Sequence, residues 1–239
     1  MKNEIVFWGI NGRLGQTLAA GLSNDYHVVG VDVQQSAQTD CAEYIQFHDL
    51  SQVDTIYSSR DTYAILHCQQ VKPEGFVKSN LLNLELEEFD RIIDINLRLS
   101  FLSSQAYVRN RQGVKHNVKG RIINFVSTYS IISSNPSLYM NTEMGNPLHY
   151  TVSKAGLYGM TKYIAANFAD YGVLCNSIAP HGVENGQSAD FNENFGLRSP
   201  VGRLSEPHEV LPAVEFLLDE RSTYVNGANI AVDGGWTAC

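Results

Sequence analysis

Short apolar runs alternate along this chain with longer stretches in which apolar positions recur every three or four residues. Residues 5–8, 27–31, 45–47, 63–67, 120–126, 174–178 and 230–232 read as strands, mostly of the continuous apolar kind that is buried on both faces. Helical spacing covers 16–22, then 81–111 through Phe89, Ile92, Ile93, Ile95, Leu97, Leu99 and Leu102, where it predicts two consecutive helices. A further helix runs from Tyr150 to about Asp170 and ends at Gly172; another occupies 209–218 after the start signal Ser205-Glu206-Pro207. Strand and helix alternate from end to end. That pattern predicts an α/β fold with a doubly wound parallel sheet of about seven strands, helices on both faces, and one domain spanning 1–239.

Residues 34–44 are polar and weakly patterned, as expected for a loop or a ragged helix. Two other connections are longer and more polar than a structural link requires. Residues 128–147 carry Asn135-Pro136 and Asn146-Pro147, and 184–199 are Gly- and Asn-bearing and lid-like. Both are expected to wall a substrate site, with Asn135, Asn141, Glu143, Asn146, Asn185, Gln187, Asn192, Asn194 and Arg198 supplying polar groups and His181 lying close by.

The first strand ends in Gly9-Ile10-Asn11-Gly12-Arg13-Leu14-Gly15 and leads into a helix. Glycines there permit a tight turn and close backbone approach, and a helix N-terminus then faces a pyrophosphate. The second strand ends in Asp32, about 20 residues on, where a carboxylate can bind a ribose hydroxyl. These features mark Gly9, Asn11, Gly12, Arg13, Leu14, Gly15 and Asp32 as candidate cofactor contacts. A carboxylate at Asp32 repels a 2′-phosphate, and Val33-Gln34-Gln35 offers no cation to offset it, so NAD is expected over NADP; Arg13 is the contrary sign.

Tyr150 and Lys154 are one helical turn apart and should share a face, where an ammonium favours the phenolate and fits the phenol for proton transfer. The same spacing recurs at Tyr158 and Lys162. Ser127 closes the fifth strand, at the sheet edge where open parallel sheets hold their chemistry. Asn96 interrupts the apolar stripe of its helix.

A net charge of −8 argues against nucleic acid or an anionic membrane surface as partner. No apolar run reaches the length of a membrane span, and the start at Met1 shows no signal-peptide pattern. Cys41, Cys68, Cys175 and Cys239 lack metal-binding spacing, and no HExxH is present. A cytoplasmic protein with reduced thiols and no dedicated metal site is expected.

With these motifs in order, the chain resembles the short-chain dehydrogenase/reductase family over nearly its whole length. The matching residues are Gly9, Gly12 and Gly15; Asn96; Ser127; Tyr150 with Lys154; Asn176 to Gly182; and Asp233-Gly234-Gly235. The resemblance selects Tyr150 over Tyr158, which becomes a packing residue. It implies NAD across the C-terminal edge of the sheet, with Asp49, Leu50, Cys68, Tyr150, Lys154, Pro180, Gly182 and Val183 as further contacts. It also implies roles at the reacting centre: Tyr150 moves the proton, Lys154 lowers its pKa and holds the nicotinamide ribose, Ser127 fixes the substrate oxygen, and Asn96 holds a water leading from Lys154. The partner is a small-molecule substrate, and a homotetramer or dimer is expected, paired through the small residues of the Tyr150 helix.

Ser127-Thr128-Tyr129, Asn146-Pro147 before Tyr150, Pro180-His181-Gly182-Val183 with Gln187 and Phe191, and Gly234-Gly235-Trp236-Thr237-Ala238 further resemble a bacterial subgroup associated with surface-sugar biosynthesis. A sugar or sugar-derived polyol or acid, exchanged at one secondary carbon, is therefore expected. The alternatives are a non-catalytic dinucleotide-binding sensor or scaffold and a reductase of another carbonyl such as a 3-oxoacyl thioester. Three positions depart from the family pattern: Trp8 before the first glycine, Cys68-Gln69-Gln70-Val71 after the fourth strand, and His181 in place of a glycine.

Overall fold

The computed structural model describes residues 2–71, 79–112, 118–142, 145 and 147–239. Seven parallel strands form one sheet in the order β3-β2-β1-β4-β5-β6-β7. They are β1 (Glu4–Trp8), β2 (His27–Asp32), β3 (Glu43–Gln46), β4 (Thr62–His67), β5 (Gly120–Phe125), β6 (Val173–Pro180) and β7 (Asn229–Val232). Every strand expected from the pattern is present. The order reverses between β1 and β4, which opens a crevice at the C-terminal edge of the sheet.

Side chains on a strand point alternately to opposite faces, and β1 shows the consequence. Ile5 and Phe7 join the core formed with α1 (Arg13–Leu22) and α7 (Leu211–Leu218). Val6 and Trp8 join the opposite core, formed with α2 (Val53–Tyr57), α4 (Leu99–Arg111) and α5 (Leu148–Asn167). Both faces are covered, so β4, β5 and β6 are buried almost throughout and their few polar side chains must find partners inside the protein.

The helical stretch expected at 81–111 begins later, as α3 (Leu86–Ile93), and runs without a break through a π-helical turn (Asp94–Arg98) into α4. Asn96 sits in that turn, one of the irregularities that commonly mark functional sites in helices. Residues α5 was expected to hold to about 170 instead form a short 3₁₀ turn, Ala169–Tyr171, closed by Gly172 at φ +72°.

The segment 184–199 is not an open polar lid. Ser188 caps α6 (Ala189–Gly196) by accepting from the Phe191 amide at 3.3 Å, and Phe191 and Phe195 turn inward one helical turn apart. They pack with Leu138 and Trp236 in a small aromatic core that also ties down the 3₁₀ turn at Pro136–Tyr139, to which the 3₁₀ turn at Thr128–Ser130 is joined by the Tyr129–Tyr139 hydrogen bond. The polar residues of α6 are left facing solvent.

Trp8 and the histidine before Cys68 explain one another. Trp8 Nε1 donates to Tyr57 Oη (2.8 Å), Tyr57 meets Ser103 Oγ (2.6 Å), Ser103 meets His67 Nε2 (2.8 Å), and His67 Nδ1 meets Asn124 Oδ1 (2.7 Å). Asn124 in turn donates to Thr161 Oγ1 at 2.9 Å. One buried polar chain thus links β1, α2, α4, β4, β5 and α5 beneath the crevice, and each member supplies the partner another requires.

Candidate functional site

The glycine-rich turn has little freedom in two places. Gly9 holds φ +78°, and a Cβ there would lie 2.5 Å from the Gln69 Cα; a Cβ on Gly15 would lie 2.2 Å from the Gly9 carbonyl oxygen. Gly12 stands at the α1 N-terminus and lines the crevice, where an added Cβ would meet only the Gly9 carbonyl, at 3.3 Å. The turn therefore presents bare backbone and unpaired helix N–H groups to whatever occupies the crevice, as a pyrophosphate requires.

Asp32 is fixed at the end of β2. One carboxylate oxygen accepts from the Asn11 amide (2.9 Å) and the other from the Val33 amide (2.8 Å). Asn11 itself is buried, its side chain bonded to Ser36, Gln38 and Tyr44. It holds the 34–38 loop in place, with its amide N–H groups bonded within the protein. Asp49 likewise caps the 3₁₀ turn beginning at Leu50, accepting from the Ser51 amide at 2.8 Å. Arg13 pairs with Glu184, beyond β6, at 2.7 Å.

Leu14, Cys68, Pro180, Gly182 and Val183 line the same cavity as Gly12, Arg13 and Gly15, and the cavity continues to Ser127, Tyr150 and Lys154. Its volume is about 540 Å³. Ser127 ends the β5 segment in extended conformation and hydrogen-bonds the Tyr150 phenol in the first turn of α5. Lys154 follows one turn later, 4% exposed, and donates to the Phe125 carbonyl at 2.8 Å.

The electrostatics differ from the expectation that Lys154 lowers the Tyr150 pKa. Desolvation in the cleft raises the phenol, and the bond from Ser127 opposes that rise. Burial also pushes Lys154 down to about 8. Its Nζ lies 5.9 Å from the Tyr150 ring centroid and donates one of its three N–H groups to a backbone carbonyl. Desolvation is the largest cause of both shifts.

Asn96 Nδ2 donates to Ser153 Oγ (3.1 Å), beside Lys154, and to Gln70 Oε1 (3.0 Å). Its Oδ1 is buried with no partner among the described residues, an acceptor placed to hold a water. Gln69 donates to the Ile95 carbonyl and to Ser100, so the unusual Gln69-Gln70 pair braces the π-helical turn. His181 is buried against Tyr129, Phe195 and Trp236, bonded through Nδ1 to Thr128 (2.7 Å), and held neutral by burial with its pKa down to about 4.

Tyr158 does not reach the cavity; it packs with Val126, Leu157 and Ala179 while Lys162 lies 4.3 Å over its ring. The expected polar wall is also corrected. Asn135 caps the Pro136–Tyr139 turn, Asn194 donates to the Met140 carbonyl, Arg198 bonds Ser137 and Asn194, and Asn141 and Asn192 are exposed. Only Asn185, Gln187 and His181 of that set line the cavity. Glu143 and Asn146 lie outside the described residues. The inner wall is aromatic instead, made by Tyr129, Tyr139, Phe191 and Phe195, none of which the polarity of the two segments singled out. The i, i+4 pair of phenylalanines after the Ser188 cap was the available signal.

Comparison with known proteins agrees with this architecture. A family model described as enoyl-(acyl carrier protein) reductase matches residues 3–237. The 3-oxoacyl-[acyl-carrier-protein] reductase of Rickettsia conorii is 33% identical over 243 residues, covering 98% of this chain and 87% of that protein. Glucose 1-dehydrogenase 2 of Bacillus subtilis is 30% identical over 159 residues, 64% of this chain and 57% of the relative. A short-chain dehydrogenase from Leptospira borgpetersenii, solved with bound NAD+, superposes with a TM-score of 0.88 at 29% identity, covering 99% of this chain and 93% of that one. The chain belongs to the short-chain dehydrogenase/reductase family. It is an NAD(P)-dependent oxidoreductase that binds a nicotinamide cofactor.

Proposed function

We propose that the protein, acting as one dinucleotide-binding domain, interconverts a secondary alcohol and a carbonyl on a small hydroxylated substrate, a sugar or sugar derivative, using NAD. The observation that carries this reading is the single cavity in which the Gly12–Gly15 turn, Lys154, Tyr150 and Ser127 all take part. A bound nicotinamide supplies hydride exchange at the substrate carbon. Tyr150 takes the proton from the substrate hydroxyl in oxidation and returns it in reduction. Ser127 donates its one O–H to the substrate oxygen, stabilising the charge that develops there. Lys154 holds the nicotinamide ribose, and Asn96 keeps the lysine end of the site connected to water through its buried Oδ1.

The preference for NAD rests on Asp32, fixed by two backbone amides, and on Arg13, paired with Glu184. Aromatic faces interleaved with hydroxyls suit a hydroxylated ring, which stacks through its C–H face and bonds through its edge. A 3-oxoacyl thioester is the second reading, favoured by the aromatic wall and by the names of relatives such as the Rickettsia protein. Paired subunits and a cytoplasmic setting complete the proposal; the four cysteines are free.

A screen of NAD(H)-linked turnover over sugars, sugar nucleotides, acyl thioesters and steroids tests this. Turnover of a sugar supports it, and efficient turnover of a long-chain acyl thioester with no sugar active overturns it.

A further inference from the structure

The inner end of the cavity holds a feature that the reaction chemistry does not use. Tyr129 and Tyr139 approach each other oxygen to oxygen at 2.8 Å, and both line the cavity that contains Ser127 and Tyr150. Tyr129 is 8% exposed and rests edge-on against His181, and Tyr139 leans on Phe191. One phenol donates to the other, which leaves a single O–H and the remaining lone pairs for a ligand. A hydroxyl both accepts and donates, so it can close a ring of hydrogen bonds with the pair. A carboxylate accepts only: it can take the one O–H but then faces the lone pairs of the other oxygen.

Among the described residues lining the cavity, neither cation acts on this pair, whose phenols feel burial and neighbouring tyrosines instead. Arg13 is paired with Glu184, and Lys154 keeps its charge with Nζ at the Phe125 carbonyl. His181 is neutral, and burial raises both phenols, Tyr139 to about 12, so neither ionises near neutral pH.

Resting on the sugar reading above, we infer that the substrate is uncharged where it enters this cavity and that the Tyr129–Tyr139 pair recognises a hydroxyl other than the reacting one. Aldoses and polyols fit this site, and aldonates, uronates and other sugar acids do not. The two tyrosines are specificity-determining residues.

The test sets neutral aldoses and polyols against their acid counterparts, with NAD(H), in the wild-type protein. The expected result is a kcat/KM about a hundredfold higher for the neutral member, because a buried carboxylate without a cation is strongly disfavoured. A deoxy analogue lacking the recognised hydroxyl should lose about a hundredfold in the wild type but less than about tenfold in Tyr129→Phe or Tyr139→Phe, since the partner is already missing. NADH affinity and melting temperature report whether each variant folds; if one does not, the wild-type comparison decides. Sugar acids turned over as well as neutral sugars overturn the inference while the sugar reading stands. An equal deoxy penalty in wild type and in folded variants removes the tyrosines' role. Inert sugars of both kinds beside an active acyl thioester overturn the inference together with the reading it rests on.

Discussion

Lys154 donates from Nζ to the carbonyl of Phe125 across 2.8 Å, two residues before Ser127 on the same strand end. The lysine and the serine are thereby held in register by backbone. The bond also anchors a buried ammonium whose pKa has fallen from 10.5 to about 8.

The fall in pKa has a consequence for stability. Between about pH 8 and 10.5 the unfolded chain binds the lysine proton and the folded chain has released it. Stability of the cofactor-free protein therefore gains from rising pH across that window. Unfolding titrations of wild type and Lys154→Met should show their difference shifting in favour of wild type as pH rises through it. A difference independent of pH would show that the lysine is not desolvated.

His67 gives the acid-side counterpart. Buried between Asn124 and Ser103, it is held neutral with its pKa near 4 against an ordinary 6.5. Below about pH 6.5 the unfolded chain gains a proton that the folded chain refuses, so stability falls as pH drops toward 4. His67→Gln should flatten this slope and cost about 1–3 kcal/mol at pH 8, because a bond in the Trp8–Asn124 chain is left unmade. An unchanged acid slope would assign the loss to other groups.

For the cofactor, Asp32→Ala should weaken NAD binding and strengthen NADP binding, narrowing the preference by about tenfold or more as the repulsion is removed. Fluorescence titration with both reduced cofactors measures it. Tighter NADPH binding by the wild type would contradict the account of Asp32 and Arg13.

Assembly follows from the outer face of α5, where Val152, Ala155, Gly159 and Tyr163 are exposed, small residues alternating with apolar ones. Phe101 is exposed on neighbouring α4. This face should pair two subunits about a two-fold axis. Light scattering at micromolar concentration should give a dimer or tetramer, and Ala155→Arg should lower that mass. A wild-type monomer would remove the interface.

The sheet was legible because its strands are continuous apolar runs and need no distant information. The spacing and order of Tyr150, Lys154 and Ser127 suggested that they share a place, and the structure puts all three on one cleft and Asn96 one bond from Ser153. What escaped depends on long-range pairing. Arg13 meets Glu184 across 171 positions, and Trp8 needs Tyr57 and His67 before its place makes sense. The α6 segment misled through composition: its polar majority faces solvent, while two phenylalanines and a distant tryptophan build the wall that matters.

Because the chain contains two Tyr-x-x-x-Lys units on one helix, the central claim can be tested by comparing them. Turnover and NADH binding should be measured side by side for Tyr150→Phe and Tyr158→Phe, with the substrate found in the screen. Tyr150→Phe should lose about a hundredfold or more in kcat with NADH affinity nearly intact, as the proton-transfer oxygen alone is removed. Tyr158→Phe should keep most of its turnover and differ mainly in melting temperature. Comparable loss of turnover in both folded variants, or substantial turnover by Tyr150→Phe, would contradict the assignment of the reaction to this cleft.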